Sequence, residues 1–229
     1  MIIFPPQELQ EYVKPTHYCD SDSPEIIAQA RSLAEGCQSS TKEAMAVFYF
    51  VRDHFLFGLT AANQKASETL LEPVGWCVTK TNLQIALLRA LGIPARYHQV
   101  VLTKKALKGY ISRLMYRAIK EPIWFHPWCE VFLQGRWIAC DLFLDQKTYQ
   151  AARKAGVYTH TQIPTLDWDG QKDLLLVQPW MTEDRGVLAS YDEVMEAVAK
   201  EFRVFPTFLV NALVNRSNRV TERFREKYA

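Results

Sequence analysis

The stretch from Thr79 to Leu102 constrains the fold most. Leu83, Ala86, Leu87, Ala90 and Leu91 recur at helical spacing, which predicts a helix over Thr79–Leu91 with one continuous apolar face. Gly92 is a natural C-terminal stop, and Pro94 forbids continuation. Ala95 to Leu102 then reads as a strand. Farther on, Trp128–Leu133 and Arg136–Leu142 flank Gln134-Gly135, the signature of a tight hairpin. A long apolar helix is thus followed by a strand and a hairpin, a mixture of helix and strand along the chain.

Two more helices are announced upstream. Residues 1–20 read as an extended lead-in broken by Pro5, Pro6 and Pro15. Ser23-Pro24-Glu25 then pairs a capping serine with proline at the first helical position, and Gly36 closes the helix after Glu35. Ser40 and Glu43 form a capping box for a second helix whose inner face is Ala46, Val47, Phe50, Val51 and His54. Asn63–Leu71 is a polar loop or a short helix. Beyond the hairpin, helices are expected over Gln146–Ala155, Tyr191–Phe202 and Thr207–Lys227, separated by a polar stretch containing Pro164, Gly170 and Pro179. The last helix should pack Leu209, Leu213 and Val220 inward and leave Arg216, Arg219, Arg223 and Arg225 in water. At 229 residues the chain reads as a single domain over 1–229, with a core of about 23–145 and a helical extension of about 146–229.

Composition narrows the function. A net charge of +2 gives no reason to expect nucleic acid as a partner. No apolar run reaches membrane-spanning length, and Met1–Pro6 lacks the basic-then-apolar form of a signal peptide. Cys19, Cys37, Cys77, Cys129 and Cys140 are an odd set without paired spacing, which predicts a reducing, cytoplasmic setting rather than a disulfide framework. The histidines His17, His54, His98, His126 and His160 are scattered and no CxxC pair occurs, so no metal is expected. No phosphate-cradling glycine loop is present, so no nucleotide or other cofactor is implied.

The candidate chemistry rests on three residues. Cys77, in Gly75-Trp76-Cys77, stands at the start of the Thr79 helix, where the positive end of the helix dipole favours a thiolate. His126 opens His126-Pro127-Trp128-Cys129-Glu130-Val131 and could exchange a proton with that thiol. Asp141, in Trp137-Ile138-Ala139-Cys140-Asp141, could bond the other ring nitrogen and orient it. A tight turn at Gln134-Gly135 should set Val131 roughly opposite Trp137, bringing His126 and Asp141 to the same end of the ribbon. The Cys77 backbone N–H is a candidate oxyanion donor; Trp76 and Gln64 are candidates for a second. Cys129 and Cys140 are expected in the core, Glu130 in a structural ion pair. Trp76, Trp124 and Trp128 either line a cleft or cap the core. The basic segment 103–120 reads either as a solvated helix face or, because it joins the cysteine half to the histidine half, as a lid over the cleft.

Gly75-Trp76-Cys77 followed by Ala86-Leu87-Leu88-Arg89-Ala90-Leu91-Gly92-Ile93-Pro94-Ala95-Arg96 resembles the transglutaminase-like core. So does His126-x-Trp128-x-Glu130-Val131 leading into Trp137-x-x-x-Asp141. The two N-terminal helices resemble those of small microbial members regarded as cysteine proteases. The resemblance covers roughly Ser23 to Asp145. It implies an α+β chain of papain-like fold, N-terminal helices plus an antiparallel sheet with the cysteine helix packed on it, and the roles of nucleophile for Cys77, base for His126 and orienting acid for Asp141. It further implies thiol-dependent acyl transfer at an amide or ester carbonyl, most simply hydrolytic, on a peptide, protein or small amide. Amine transfer, or peptide binding without catalysis, are the alternatives on the same scaffold. Two departures stand out. Many members carry an acid soon after the cysteine, where this chain has Val78-Thr79-Lys80; many have Asp-Pro after the tryptophan strand, where Leu142 follows Asp141. Asp145 is therefore a fallback third member.

Overall fold

A computed structural model describes residues 7–109, 111–202 and 206–228. Eight helices and six strands follow the lead-in among these residues. Helices α1 (Pro24–Ala34) and α2 (Ser40–His54) are succeeded by strand β1 (Leu56–Phe57), α3 (Ala66–Leu70), β2 (Val74–Gly75) and α4 (Cys77–Ala90). Then come β3 (Ala95–Leu102), α5 (Arg113–Ala118), β4 (Ile123–Leu133), β5 (Arg136–Cys140), α6 (Gln146–Lys154), β6 (Met181–Leu188), α7 (Asp192–Phe202) and α8 (Thr207–Lys227). Strands β5-β4-β3-β6, in that order, make one antiparallel sheet. Strands β1 and β2 form a separate parallel pair just before Cys77.

The α+β reading is therefore what the chain adopts, and α4 is its axis. The helix packs on β4 and β3 on one side and on α1, α2 and α3 on the other. Every residue from Cys77 to Arg89 is buried, as expected of a helix enclosed on all sides rather than laid on a surface. Its polar side chains are tied down individually. Asn82 donates to the Tyr18 carbonyl at 2.8 Å and accepts from the Tyr97 hydroxyl at 2.6 Å. Arg89 donates to the carbonyls of Ala95, Lys14 and Ala189, binding the end of α4 to the lead-in and to the segment before α7. At the other end Thr79 accepts from the Trp76 N–H at 3.2 Å, closing the first turn.

Several expectations need correction. The lead-in is not wholly extended, because Gln7–Val13 forms a 3-10 helix; residues 1–6 lie outside the described residues. The hairpin pairs Val131 with Ile138 and Phe132 with Trp137. The expected Val131–Trp137 pairing is one residue out, because a two-residue turn sets Leu133 opposite Arg136. Strand β4 begins at Ile123, so His126 lies inside the strand rather than at its start. The polar stretch before α7 hides β6, an edge strand paired with β3. Its exposed Glu183, Asp184 and Arg185 are the charged residues that edges favour and that read as loop. In α8, Leu209 is 49% exposed; Ser217 and Thr221 are the buried positions. Leu213 is partly buried against the core as expected, with Val214 and Phe224, and polar groups add to the docking. Asn218 accepts from the Leu59 N–H and donates to its carbonyl, and Arg225 donates to the Phe57 carbonyl. No helix among the described residues is long and apolar enough to cross a membrane.

Candidate active site

Cys77 is the first residue of α4, with Trp76 as its N-cap in an extended conformation. The first intrahelical bond runs from the Lys80 N–H to the Trp76 carbonyl at 2.9 Å. The amide of Cys77 is thus among the donors that a helix N-terminus leaves without an intrahelical acceptor. The side chain is 7% exposed. Strand β4 brings His126 up from the sheet, with Val100 of β3 as its partner and the ring edge-on to Phe143 at 5.7 Å between centroids. Asp141 follows directly after β5.

The structure brings these three side chains together. His126 Nε2 lies 3.7 Å from Asp141 Oδ1, both residues 1% exposed. That separation is an electrostatic contact rather than a hydrogen bond. Asp141 is itself fixed by backbone. Oδ1 accepts from the Phe143 N–H at 3.0 Å and Oδ2 from the Leu176 N–H at 3.1 Å. The second bond comes from residues 173–176, which lie along the end of β5 through a parallel bridge between Cys140 and Leu174. Burial alone would push the His126 imidazole toward neutrality. The charge of Cys77 and the contact with Asp141 outweigh burial and raise its pKa to about 10. Cys77 and Asp141 are thus the two neighbours that favour a charged His126 imidazole.

Asp145, the fallback acid, is occupied elsewhere. It caps α6, accepting from Thr148 N at 2.8 Å and Thr148 Oγ1 at 2.6 Å, and it accepts from the Phe57 N–H at 2.7 Å. Cys129 and Cys140 face each other across β4 and β5, both fully buried; burial pushes the Cys129 thiol well up. Glu130 bridges Arg96 at 2.8 Å and His98 at 2.7 Å. Trp128 stacks on His98 at 4.5 Å, and Trp76 meets Phe125 edge-on at 5.8 Å. The indole N–H of Trp76 and the side-chain carbonyl of Gln64 are buried without a hydrogen-bond partner among the described residues. The basic segment read as a possible lid is tied to α8 and to the residues after α6. The Ser112 N–H donates to Ser217 of α8, Tyr158 donates to the Ala106 carbonyl, and Ile111 and Met115 are buried.

Two neighbours escaped the sequence reading. Tyr191, which donates to the Phe125 carbonyl at 2.9 Å and stacks on Tyr97, lies close enough to Cys77 for that charge to act on it. Burial, and then Cys77, raise its hydroxyl pKa well above the ordinary value. Nothing in Ser190-Tyr191-Asp192 signals that proximity. Lys80 is fully buried one turn beyond Cys77; its signal was the departure in Val78-Thr79-Lys80.

This arrangement, a cysteine at a helix start facing a histidine and an aspartate on an antiparallel sheet, is accompanied by a direct family match. The family description "Transglutaminase-like superfamily" matches residues 27–142, just over half of the chain, and the chain belongs to that superfamily. Among solved structures it is similar to one described as a "Putative Cysteine Protease" from Cytophaga hutchinsonii, at 25% identity and a TM-score of 0.48. That similarity covers 61% of this chain, and the chain spans 43% of the length of that protein. Comparison with curated proteins gave no match.

Proposed function

We propose that the protein is a thiol-dependent acyl-transfer enzyme with Cys77 as nucleophile, His126 as acid and base, and Asp141 as orienting acid. The observation that supports this reading is the buried His126 whose Nε2 lies 3.7 Å from Asp141 Oδ1 and whose pKa is raised first by Cys77 and then by Asp141. In this reading the thiol proton passes to His126. With Nε2 turned to Asp141, Nδ1 is the nitrogen left to face the sulfur. The Cys77 thiolate attacks an amide or ester carbonyl, forming a C–S bond as the carbonyl π pair moves to oxygen. The Cys77 N–H, at the positive end of α4, is placed to receive that oxyanion. Collapse expels the amine or alcohol, which takes the proton from His126, and a thioester remains. His126 then deprotonates water, which attacks the thioester and releases the acid and the thiol. An amine in place of water gives transamidation. Substrate is a peptide, a protein or a small amide.

The test is the alkylation rate of each cysteine against pH, read by peptide mass spectrometry. Cys77 should react fast well below pH ~8.5, the ordinary thiol pKa. His126→Ala should slow it by about 10²-fold or more near neutrality. Cys19, Cys129 and Cys140, all fully buried, should stay unmodified until the protein unfolds. A Cys77 that reacts no faster than partly exposed Cys37, or that ignores His126→Ala, would overturn the catalytic reading in favour of a binding protein.

A further inference from the structure

Strand β4 is central in its sheet, with β5 on one side and β3 on the other, yet its ladder is interrupted on both sides of His126. Before His126 the pairing with β3 slips. His126 stands opposite Val100 and Ile123 opposite Leu102, so that Trp124 and Phe125 together face the single residue Val101. That is a β-bulge, which bends a strand and re-aims the side chains beside it. After His126 comes Pro127, which has no N–H to give the ladder and is foreign to a central strand except at such an irregularity. The segment that presents the imidazole is therefore the part of β4 that backbone pairing holds least.

Side chains take over there. Gln99 of β3, 6% exposed, donates from Nε2 to the Trp124 carbonyl at 2.8 Å. Tyr191, just before α7 and 0% exposed, donates to the Phe125 carbonyl at 2.9 Å. The two carbonyls of the bulge are thus each bonded by a buried side chain, and the two donors come from different elements. A regular strand would need neither, since its carbonyls bond the neighbouring strand. Tyr191 also ties the bulge to the helix that carries Cys77. Its ring stacks on Tyr97 at 5.2 Å, and the Tyr97 hydroxyl donates to Asn82 of α4 at 2.6 Å. The Phe125 ring in turn meets Trp76, the residue before Cys77, edge-on at 5.8 Å.

We propose that Gln99 and Tyr191 are positioning residues for His126: through the carbonyls of Trp124 and Phe125 they fix the bulge of β4 in the shape that presents the imidazole to Cys77 and Asp141. This rests on the acyl-transfer reading, which gives that presentation its purpose. Neither side chain takes part in the proton transfer; each acts through the backbone that carries His126. Loosening the bulge lets the ring drift from both partners. The pairing of thiolate with imidazolium then weakens, so the thiolate forms at higher pH and the imidazolium loses its proton at lower pH. The two limbs of the Cys77 reactivity profile move toward each other.

The experiment compares Tyr191→Phe, which keeps the ring stack and loses the hydroxyl, with Gln99→Met, which keeps the length and loses the donor. Tyr49→Phe is the control, because the Tyr49 hydroxyl donates to the Trp168 carbonyl at 2.9 Å, an equivalent bond outside the site. Each variant is read by the pH profile of Cys77 alkylation, by NMR titration of the His126 ring and by urea unfolding. Tyr191→Phe and Gln99→Met should each bring the limbs closer, by about one pH unit per limb for a tenfold loss of pairing, and lower the His126 inflection to match. Tyr49→Phe should lower stability alone. Gln99→Asn, which keeps the amide but withdraws it by one methylene, should shift the limbs in the same direction by less, and it serves where Gln99→Met does not fold. Folded variants at Gln99 and Tyr191 that lose stability while the limbs and the His126 inflection stay put overturn the proposal, since the bonds then only hold the sheet together. A shift with Tyr191→Phe alone also overturns it, because Tyr191 would then be acting on the nearby thiol directly. If Cys77 shows no low-pH reactivity in the unaltered protein, the acyl-transfer reading falls instead; the His126 titration of the variants still tests the positioning, and so separates the two failures.

Discussion

His98 and His126 sit on neighbouring strands of one sheet, and both raise their pKa against burial by facing carboxylates. They differ in how completely they are satisfied. His98 Nδ1 lies 2.7 Å from Glu130 and Nε2 lies 2.7 Å from Asp184. Arg96 completes that cluster through Glu130, and Trp128 stacks on the ring. His126 is more deeply buried, yet its Nε2 stands 3.7 Å from Asp141 with no hydrogen bond among the described residues. A fully bonded imidazole spends its donors on holding strands together. His126 keeps a ring nitrogen without a hydrogen bond among the described residues, and Cys77 is among the neighbours that act on it. Residue type does not separate the two; the geometry of their partners does.

The sharpest way to break this contrast is Asp141→Asn. The substitution removes one of the charges that raise His126, so the imidazole pKa should fall. Each unit lost lowers by one pH unit the point at which the imidazolium gives up its proton, so the Cys77 alkylation profile should change on its alkaline side. The amide also turns an N–H₂ toward the N–H of Phe143 or Leu176, both of which now donate to the carboxylate. That mismatch should cost about 1–3 kcal/mol of stability, read by urea unfolding. Unchanged alkylation kinetics would mean that Asp141 serves the backbone and not His126.

His98→Gln should do the reverse, leaving Cys77 reactivity intact and changing only stability. The raised pKa of His98 means that its contribution is fully present below the unfolded value of ~6.5 and fades as pH rises through the folded value. Glu130 is desolvated by burial, but His98 and Arg96 outweigh this and lower its pKa. Its contribution is therefore present above the ordinary carboxylate range and is lost on acidification through the folded value. The stability difference between His98→Gln and the unaltered protein should be greatest near pH 6 and shrink toward pH 9. His126, with a pKa of about 10, should keep its contribution past pH 8. A His98→Gln deficit that grows with pH would refute the assignment of the cluster.

Legibility in the sequence followed the same division between apolar pattern and polar geometry. Helix α4 could be read because Leu83, Ala86 and Leu87 recur at helical spacing and Gly92 stops it. The hairpin could be read from Gln134-Gly135, though its register was one residue out. Cys77, His126 and Asp141 could be named because each sits in a dense block of tryptophan and glycine. What stayed hidden depends on long-range polar contacts. Strand β6 is held to β3 by backbone bonds under charged side chains. Helix α8 is seated by Asn218 and Arg225 rather than by Leu209. The Leu176 N–H that fixes Asp141 arrives from 35 residues away. Lys80 stood out in sequence only as a departure after the cysteine, because burial of a lysine depends on what the fold packs around it.

The smallest effect expected is that of Asp184→Asn, and it tests whether the His98 cluster is one network or two pairs. Asp184 is the outer partner, with a side chain 55% exposed against 13% for Glu130. Water screens the His98–Asp184 contact, and exposed pairs contribute about 0–1 kcal/mol. Asp184 also accepts from the Gly186 N–H at 2.7 Å, a bond that asparagine keeps through its carbonyl oxygen. Asp184→Asn should therefore lower stability by less than about 1 kcal/mol, whereas Glu130→Gln, which strands Arg96 and His98 together, should lose about 1–3 kcal/mol. Thermal unfolding of the two variants and of the double variant at pH 6 separates the cases. If the single losses add, His98 merely touches two acids. If Asp184→Asn loses nothing once Glu130 is gone, the imidazolium is held only while both carboxylates clamp it, and β6 is latched to the sheet by a charge that appears with protonation of His98.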